Sequence, residues 1–206
     1  MTPWIRLRVV VRSGARPCAL NPRVTPRLFL HQPFVIEMST TNLVANDEYY
    51  TPPDAWTDIA RYIPRDKKIW EPFNTTADPR SLESSEHLRT LGFDVVAAPY
   101  DPETGANDFF ASDRGDIVVS NPPFTRKRDV LRRLRELGKP FILILPVPTM
   151  NTAYFREIFL QDEHLGIIIP RKRINFKNKR NASSNCFECY YYCWRIDGVM
   201  GINWIT

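Results

Sequence analysis

The chain has 206 residues, a formal net charge of +5, and 43% hydrophobic and 25% charged residues, proportions typical of a folded globular protein and not of a disordered one. No apolar run reaches the roughly 18 residues of a membrane-spanning helix, so we expect no membrane span and no membrane partner. None of the 8 glycines lies between Ala15 and Leu91, which excludes a glycine-rich phosphate loop from that stretch.

The first 37 residues are rich in proline and arginine. They hold five prolines and six arginines against the single acid Glu37, without an amphipathic period. The composition is typical of an organelle transit peptide, whereas the missing amphipathic helix favours a non-essential leader. We expect a flexible leader over 1–37 and one domain over 38–206. No secretory signal is visible, so we expect an intracellular location, cytoplasmic or nuclear, with organelle targeting as the alternative.

From residue 47 onward, helix and strand patterns alternate. Helices are predicted over 53–63, 84–91, 125–137 and 152–160, with Ser84 and Thr125 as caps and Gly138 past one end. Strands are predicted over 68–73, 93–98, 116–120, 140–146, 166–169 and 186–196. This alternation predicts an α/β fold with a mainly parallel sheet covered by helices on both faces.

Three of the four cysteines cluster near the last predicted strand. Cys186, Cys189 and Cys193 could suggest a metal site, but the nearest histidine, His164, lies 22 residues away, and a closed zinc site needs four ligands. The surrounding run is dense in aromatic residues, which favours a buried strand. We therefore predict no metal site and no disulfide, and we expect Tyr190 to Tyr192 to lie in the core.

The chemistry-bearing motif is Asn121-Pro122-Pro123-Phe124, directly after the strand predicted over 116–120. Ligands of such sheets bind at the carboxyl ends of the strands. Two prolines stiffen the loop, and an amide oxygen beside a proline carbonyl can accept both hydrogens of an exocyclic amine. An adjacent aromatic ring can stack on a base. Taken alone, the same residues are as well explained by a rigid turn.

The motif resembles the N-P-P-[FYW] motif of class I S-adenosylmethionine-dependent N6-adenine methyltransferases, and the likeness extends over most of residues 47–196. The chain is also similar to small methyltransferase-like proteins of phages and large DNA viruses. The resemblance implies a Rossmann-like methyltransferase fold with an antiparallel last strand and S-adenosylmethionine as the cofactor. We expect a monomer that acts on DNA or RNA.

The resemblance also implies roles for individual residues. The Asn121 side-chain oxygen and the Pro122 carbonyl would accept from N6 of an adenine turned out of its stack, and Phe124 would hold its ring. The residues implied for the methyl-donor site are Tyr50, Thr51, Pro52, Glu71, Phe73, Asp101, Asp108 and Phe109. Glu103 is an alternative to Asp101 for the ribose hydroxyls.

The loop after Glu71 departs from the family. In the family this loop is glycine-rich, whereas residues 74–80 of this chain read Asn-Thr-Thr-Ala-Asp-Pro-Arg. The side chains of Thr75 and Thr76 could fill this space, or the donor site could be damaged. Two alternative functions follow: a catalytically weak methyltransferase-like protein that binds nucleic acid, and a methyltransferase for protein glutamine.

Two basic groups fit a nucleic-acid partner. Residues 120–206 carry a net charge of +8, against −8 for residues 38–119. Phe176 lies in an acid-free stretch over 165–187, which predicts a clamp for the nucleic-acid backbone; a solvated basic hairpin is the alternative. The residues of the two groups are Arg126, Lys127, Arg128, Arg171, Lys172, Arg173 and Lys177, with Lys179 and Arg180 beyond them.

Overall fold

A computed structural model describes residues 49–96, 98–177 and 187–206. The leader predicted over 1–37, the residues Cys18 and Cys186, and the basic residues Lys179 and Arg180 lie outside the described residues. Within the described part, no helix has the length and apolar character needed to cross a membrane. The helices are α1 (Pro53–Ile59), α2 (Glu83–Thr90), α3 (Lys127–Leu137) and α4 (Ala153–Phe159). The strands are β1 (Ile69–Trp70), β2 (Ile117–Ser120), β3 (Phe141–Pro146), β4 (Leu165–Ile169), β5 (Cys189–Trp194) and β6 (Gly201–Trp204).

The six strands form one mixed sheet in the order β1-β2-β3-β5-β4-β6. Strands β1, β2 and β3 pair in parallel, and β5 runs antiparallel between β3 and β4. The predicted α/β class and the antiparallel direction of the strand over 186–196 are confirmed. That strand is not the last, however, because β6 follows and pairs in parallel with β4 at the sheet edge. Its sequence, Gly-Ile-Asn-Trp, alternates in polarity over only four residues, and its apolar side chains Ile202 and Trp204 are exposed. The signal of a half-buried strand is therefore weak.

Two hydrophobic cores lie on opposite faces of the sheet, as the strand alternation predicts. One face packs Trp56 and Ile59 of α1 and Leu88 of α2 against the strands. The other face packs Leu134 of α3 and Phe155 of α4. Helices therefore cover both faces, which confirms the layered arrangement expected from the sequence.

Strand β5 is buried along most of its length, in agreement with its aromatic sequence. Cys189 and Cys193 are buried free thiols, and burial raises the pKa of both thiols. Among the described residues, no group of three or more potential ligands could hold a metal ion. The Tyr191 hydroxyl donates to the Ala55 carbonyl at 2.7 Å, which ties the middle of the sheet to α1.

The predicted caps Ser84 and Thr125 are wrong. The 3-10 turns Pro79–Leu82 and Phe124–Arg126 run directly into α2 and α3, so that neither helix begins with a side-chain cap. Ser84 instead lies inside α2 and accepts from Trp56 Nε1 at 2.8 Å. By contrast, Thr152 does cap α4, and Gly138 ends α3 at φ 64°.

The strand predicted over 93–98 is reduced to a single parallel bridge between Val95 and Ile69. The Ile69 N–H donates to Asp94 O, and the Val96 N–H donates to Ile69 O, both at 2.8 Å. This bridge flanks β1 on the side away from β2. The two-residue β1 is thereby held from both sides, directly before Glu71.

Candidate active site

The candidate site lies where the parallel strands β1 and β2 end. Ile69 pairs with Ile117 and Trp70 with Val118, so Glu71 and Asn121 emerge at the same edge of the sheet. A cavity of about 430 Å³ opens between them, within the size range of small-molecule sites.

The cavity brings together eight of the eighteen site residues expected from the sequence. The eight that line it are Tyr50, Thr51, Glu71, Phe73, Asp108, Phe109, Asn121 and Arg126. Six further residues of its wall were given no site role from the sequence: Asn74, Asp78, Arg80, Ser81, Ser84 and Tyr100. Tyr49 and Phe110, which lie next to the expected Tyr50 and Phe109 in the chain, also line it. The remaining expected residues lie outside the lining: Pro52, Asp101, Pro122, Phe124, Lys127, Arg128, Arg171, Lys172, Arg173 and Lys177.

Asn121 presents an unused hydrogen-bond acceptor. Its Nδ2 donates to the Tyr49 carbonyl at 3.2 Å, which fixes the orientation of the amide, since a flipped amide would set two oxygens against each other. Its Oδ1 is buried and has no hydrogen-bond partner among the described residues. A buried acceptor without a donor costs about 1–3 kcal/mol. The site therefore holds an amide oxygen that gains stability when a ligand donates to it.

Phe124 belongs to an aromatic cluster behind the cavity wall. Its ring is stacked with Tyr49 at 6.1 Å and 25° and meets Phe187 edge-on at 5.4 Å. Phe176, expected in a clamp loop, is instead fully buried in the same cluster, 6.2 Å from Phe124. Of this cluster, only Tyr49 lines the cavity.

Glu71 joins the end of β1 to the loop and to α2. Its Oε2 accepts from Asn74 Nδ2 at 2.7 Å and from Ser85 Oγ at 2.6 Å. Burial raises the pKa of this carboxyl, while the hydrogen bonds from Ser85, Asn74 and Ser84 oppose the rise. The acid at the end of β1 thus anchors the start of the loop.

The backbone N–H groups of the glycine-free loop, from Thr75 to Ser81, are engaged in hydrogen bonds. Each N–H between Thr75 and Ser81 has an acceptor within the loop or on Tyr100, and Pro79 has no N–H. The donors, in chain order, are the N–H groups of Thr75, Thr76, Ala77, Asp78, Arg80 and Ser81. Their respective acceptors are Ser81 Oγ (2.8 Å), Tyr100 O (2.9 Å), Thr75 Oγ1 (3.2 Å), Thr75 O (3.4 Å), Asp78 Oδ1 (3.1 Å) and Asp78 O (2.9 Å). The loop therefore faces the cavity with side chains and with no spare N–H over this stretch.

Aromatic rings form the opposite wall. The buried Phe109 packs 5.4 Å from Trp70 and 5.0 Å from Phe73, measured between ring centroids. Asp108 Oδ1 accepts from the Phe110 N–H at 3.0 Å, which fixes this carboxylate at the rim of the cavity.

Asp101, expected at the donor's ribose, closes a turn outside the cavity. Its carboxylate accepts from the Thr104 hydroxyl at 2.6 Å and from the Glu103 N–H at 3.0 Å. These hydrogen bonds, that of Thr104 first, lower the pKa of Asp101. The turn uses both carboxylate oxygens of the residue.

The first basic group begins at the mouth of the cavity. The Arg126 guanidinium lies 4.1 Å above the centroid of the Phe110 ring and 3.7 Å from Asp129. Lys127 Nζ donates to the Phe124 carbonyl at 2.9 Å, so it stabilises the turn, while Arg128 is exposed.

The second basic group is connected to the cavity wall by backbone hydrogen bonds. Lys177 pairs with Tyr50, with N–H to O distances of 2.8 and 3.3 Å. Arg171, Lys172 and Arg173 are exposed, and Arg173 lies 3.3 Å from Glu188. Arg126 of the first group therefore lines the cavity, and Lys177 of the second group contacts the cavity-lining Tyr50.

Comparison with known proteins leaves the site to be interpreted from its own chemistry. No family model and no curated protein sequence matches the chain.

Proposed function

We propose that this chain is an S-adenosylmethionine-dependent methyltransferase with a Rossmann-like methyltransferase fold, and that it methylates N6 of adenine in nucleic acid. The observation that carries the proposal is the buried, unpartnered Asn121 Oδ1 on the cavity wall. An exocyclic amine is the donor that satisfies this oxygen. Asn121 follows a buried strand in the N-P-P-F motif, which agrees with the likeness noted from the sequence.

The residues of the cavity fit the methyl donor. Its volume of about 430 Å³ is sufficient for a small molecule. Aromatic side chains such as Phe73 and Phe109 suit an adenine ring, and the fixed Asp108 carboxylate suits the amino group of that ring. S-adenosylmethionine supplies an electrophilic methyl group on a sulfonium.

In the proposed reaction, Asn121 Oδ1 accepts one hydrogen of the target amine. The Pro122 carbonyl, which the resemblance implies as a second acceptor, is not assigned this role, because Pro122 is buried and lies outside the lining. The hydrogen bond to Asn121 draws the nitrogen lone pair out of the ring, so that N6 attacks the methyl carbon in line with its bond to sulfur. The carbon–sulfur bond breaks, S-adenosylhomocysteine leaves, and the extra proton of N6 passes to solvent. Positioning is the main catalytic contribution, and a strong general base is not required.

The exposed basic residues support a nucleic-acid substrate. Arg126 lines the cavity, and the exposed Lys177 pairs through its backbone with the lining residue Tyr50. The exposed residues 171–173 precede Lys177 in the chain. A backbone held across them would bring one base to Asn121 after unstacking, at a cost of about a few kcal/mol.

One observation favours a second candidate, a methyltransferase-like protein that binds nucleic acid without turnover. From Thr75 to Ser81, the backbone N–H groups that a glycine-rich loop would offer to the donor already have acceptors. Donor binding distinguishes the two candidates, because only the enzyme requires it.

The test is transfer of labelled methyl groups to adenine-containing DNA and RNA by wild type, Asn121→Ala and Asn151→Ala. We expect Asn121→Ala to lose about 10²–10³-fold in rate while it retains a folded structure. Asn151→Ala, an exposed asparagine outside the cavity, is the matched control and should retain full activity.

Three outcomes would count against the proposal. Full turnover by Asn121→Ala refutes the role of the amide. Oligonucleotide binding without donor binding by the wild type favours the binding-only protein. Transfer to a glutamine-containing peptide and to no oligonucleotide would move the substrate from nucleic acid to protein.

A further inference from the structure

A charged pair of side chains occupies the cavity wall on the side of the glycine-free loop. Asp78 and Arg80 both line the cavity, and Arg80 Nε lies 3.9 Å from Asp78 Oδ1, longer than a hydrogen bond. The loop that carries them has no backbone N–H to spare between Thr75 and Ser81. Recognition of a ligand by this wall must therefore use side chains.

Tyr50, which precedes Asp78 and Arg80 by 28 and 30 residues, holds the pair in place. Its hydroxyl donates to Asp78 Oδ2 and accepts from Arg80 Nη2 at 3.2 Å. The Arg80 guanidinium also lies 4.5 Å above the centroid of the Tyr50 ring. The ring and the hydroxyl fix both charges, so a negative and a positive group stand side by side at one wall.

We propose that Asp78 and Arg80 bind the amino-acid end of the methyl donor, with the carboxylate on Arg80 and the ammonium on Asp78. The inference rests on the proposed function, since it concerns the donor of that reaction. A planar guanidinium matches a carboxylate with two parallel hydrogen bonds. A neighbouring carboxylate matches an α-ammonium, and a zwitterion presents both charges together.

The charges of the cavity favour this ligand over a phosphate. Glu71, Asp78 and Asp108 line the wall together with two cations, Arg80 and Arg126. A phosphate near Arg80 would also meet the Asp78 carboxylate and lose much of its attraction. A zwitterion next to a sulfonium adds no net negative charge, so the acidic lining does not oppose it.

The test measures the affinity of three ligands by calorimetry: S-adenosylmethionine, its decarboxylated form, and 5′-methylthioadenosine. The second ligand lacks the carboxylate, and the third lacks the carboxylate, the ammonium and the sulfonium charge. We expect wild type to bind S-adenosylmethionine about tenfold to a hundredfold more tightly than the decarboxylated form. Arg80→Gln should bring this ratio close to one, with the affinity for the decarboxylated form unchanged.

Further variants distinguish the loss of the charge of Asp78 or Arg80 from a disturbance of the loop structure. Arg80→Lys keeps the charge and should retain part of the preference. Asp78→Asn keeps an acceptor for the Arg80 N–H and should reduce the preference for the decarboxylated form over methylthioadenosine. Arg61→Gln is the matched control, because Arg61 lies outside the cavity but also donates to a tyrosine, Tyr62, at 2.9 Å with its guanidinium 4.8 Å above the ring.

The outcomes for the inference and for the proposed function are distinct. Arg80→Gln could keep the wild-type ratio of the two affinities, or it could weaken the binding of all three ligands equally. Either result refutes the binding of the amino-acid end by Asp78 and Arg80, while the methyl-donor site stands. If the wild type binds none of the three ligands, the donor site is refuted, and the role of Asp78 and Arg80 is refuted together with it.

Discussion

Replacing Glu71 with glutamine should change how the stability of the protein depends on pH. Glu71 is buried, and burial raises its pKa above the ordinary value of a glutamic acid. A carboxyl with a raised folded-state pKa contributes its full stability below the unfolded pKa and loses it as pH rises through the folded pKa. Glutamine keeps an oxygen to accept from Asn74 and Ser85 but cannot ionise.

The free energy of unfolding of Glu71→Gln minus that of wild type should therefore rise with pH. Between the two pKa values the slope is at most about 1.4 kcal/mol per pH unit, and it flattens above the folded pKa. Urea unfolding at half-unit steps from pH 4 to 8, followed by circular dichroism, measures the difference.

The control for this experiment is Glu83→Gln, which removes an exposed carboxylate from the first turn of α2. It should change stability by about 0.5 kcal/mol or less at every pH. If the Glu71→Gln difference stays flat or falls with pH, the three hydrogen bonds outweigh burial, and the dominance of desolvation at this carboxyl is refuted.

Two further substitutions test the packing around the site. Gly115→Ala should cost at least about 1 kcal/mol more than Gly105→Ala in urea unfolding, because both have positive φ but only at Gly115 would a Cβ lie 2.8 Å from the Lys68 carbonyl; equal losses would contradict this. Tyr191→Phe should lower the free energy of unfolding by about 1–2 kcal/mol because the buried Ala55 carbonyl loses its donor, whereas unchanged stability would show that this hydrogen bond contributes nothing.

Local patterns predicted the elements whose signals are local. The apolar run between two prolines at 140–146 became β3 (Phe141–Pro146), and the helix predicted over 152–160 became α4 (Ala153–Phe159). The position of Asn121 at the end of a buried strand also followed from the sequence. Each of these depends on neighbours in the chain and on strand or helix period.

The features that the sequence could not predict depend on contacts between distant residues. Asp78 and Arg80 meet Tyr50 across 28 and 30 positions, and no periodicity marks such a pair. Phe176 sits in a segment that reads as a basic loop, yet long-range packing against Phe124 and Phe187 buries it. The missing glycines did indicate that the loop after Glu71 differs, but not which side chains replace them.

The sequence separations at the site have a consequence for folding order. Asn121 meets Tyr49 across 72 positions, and β1 pairs with β2 across about 48 residues. Closing such long loops costs entropy before any contact is gained, so contacts of high sequence separation form slowly. Strands β2 and β3 pair across only about 23 residues, so we expect them to associate early in folding. A folding chain would then pair β2 with β3 before it forms the cavity, and Asn121 would gain its final orientation among the last events.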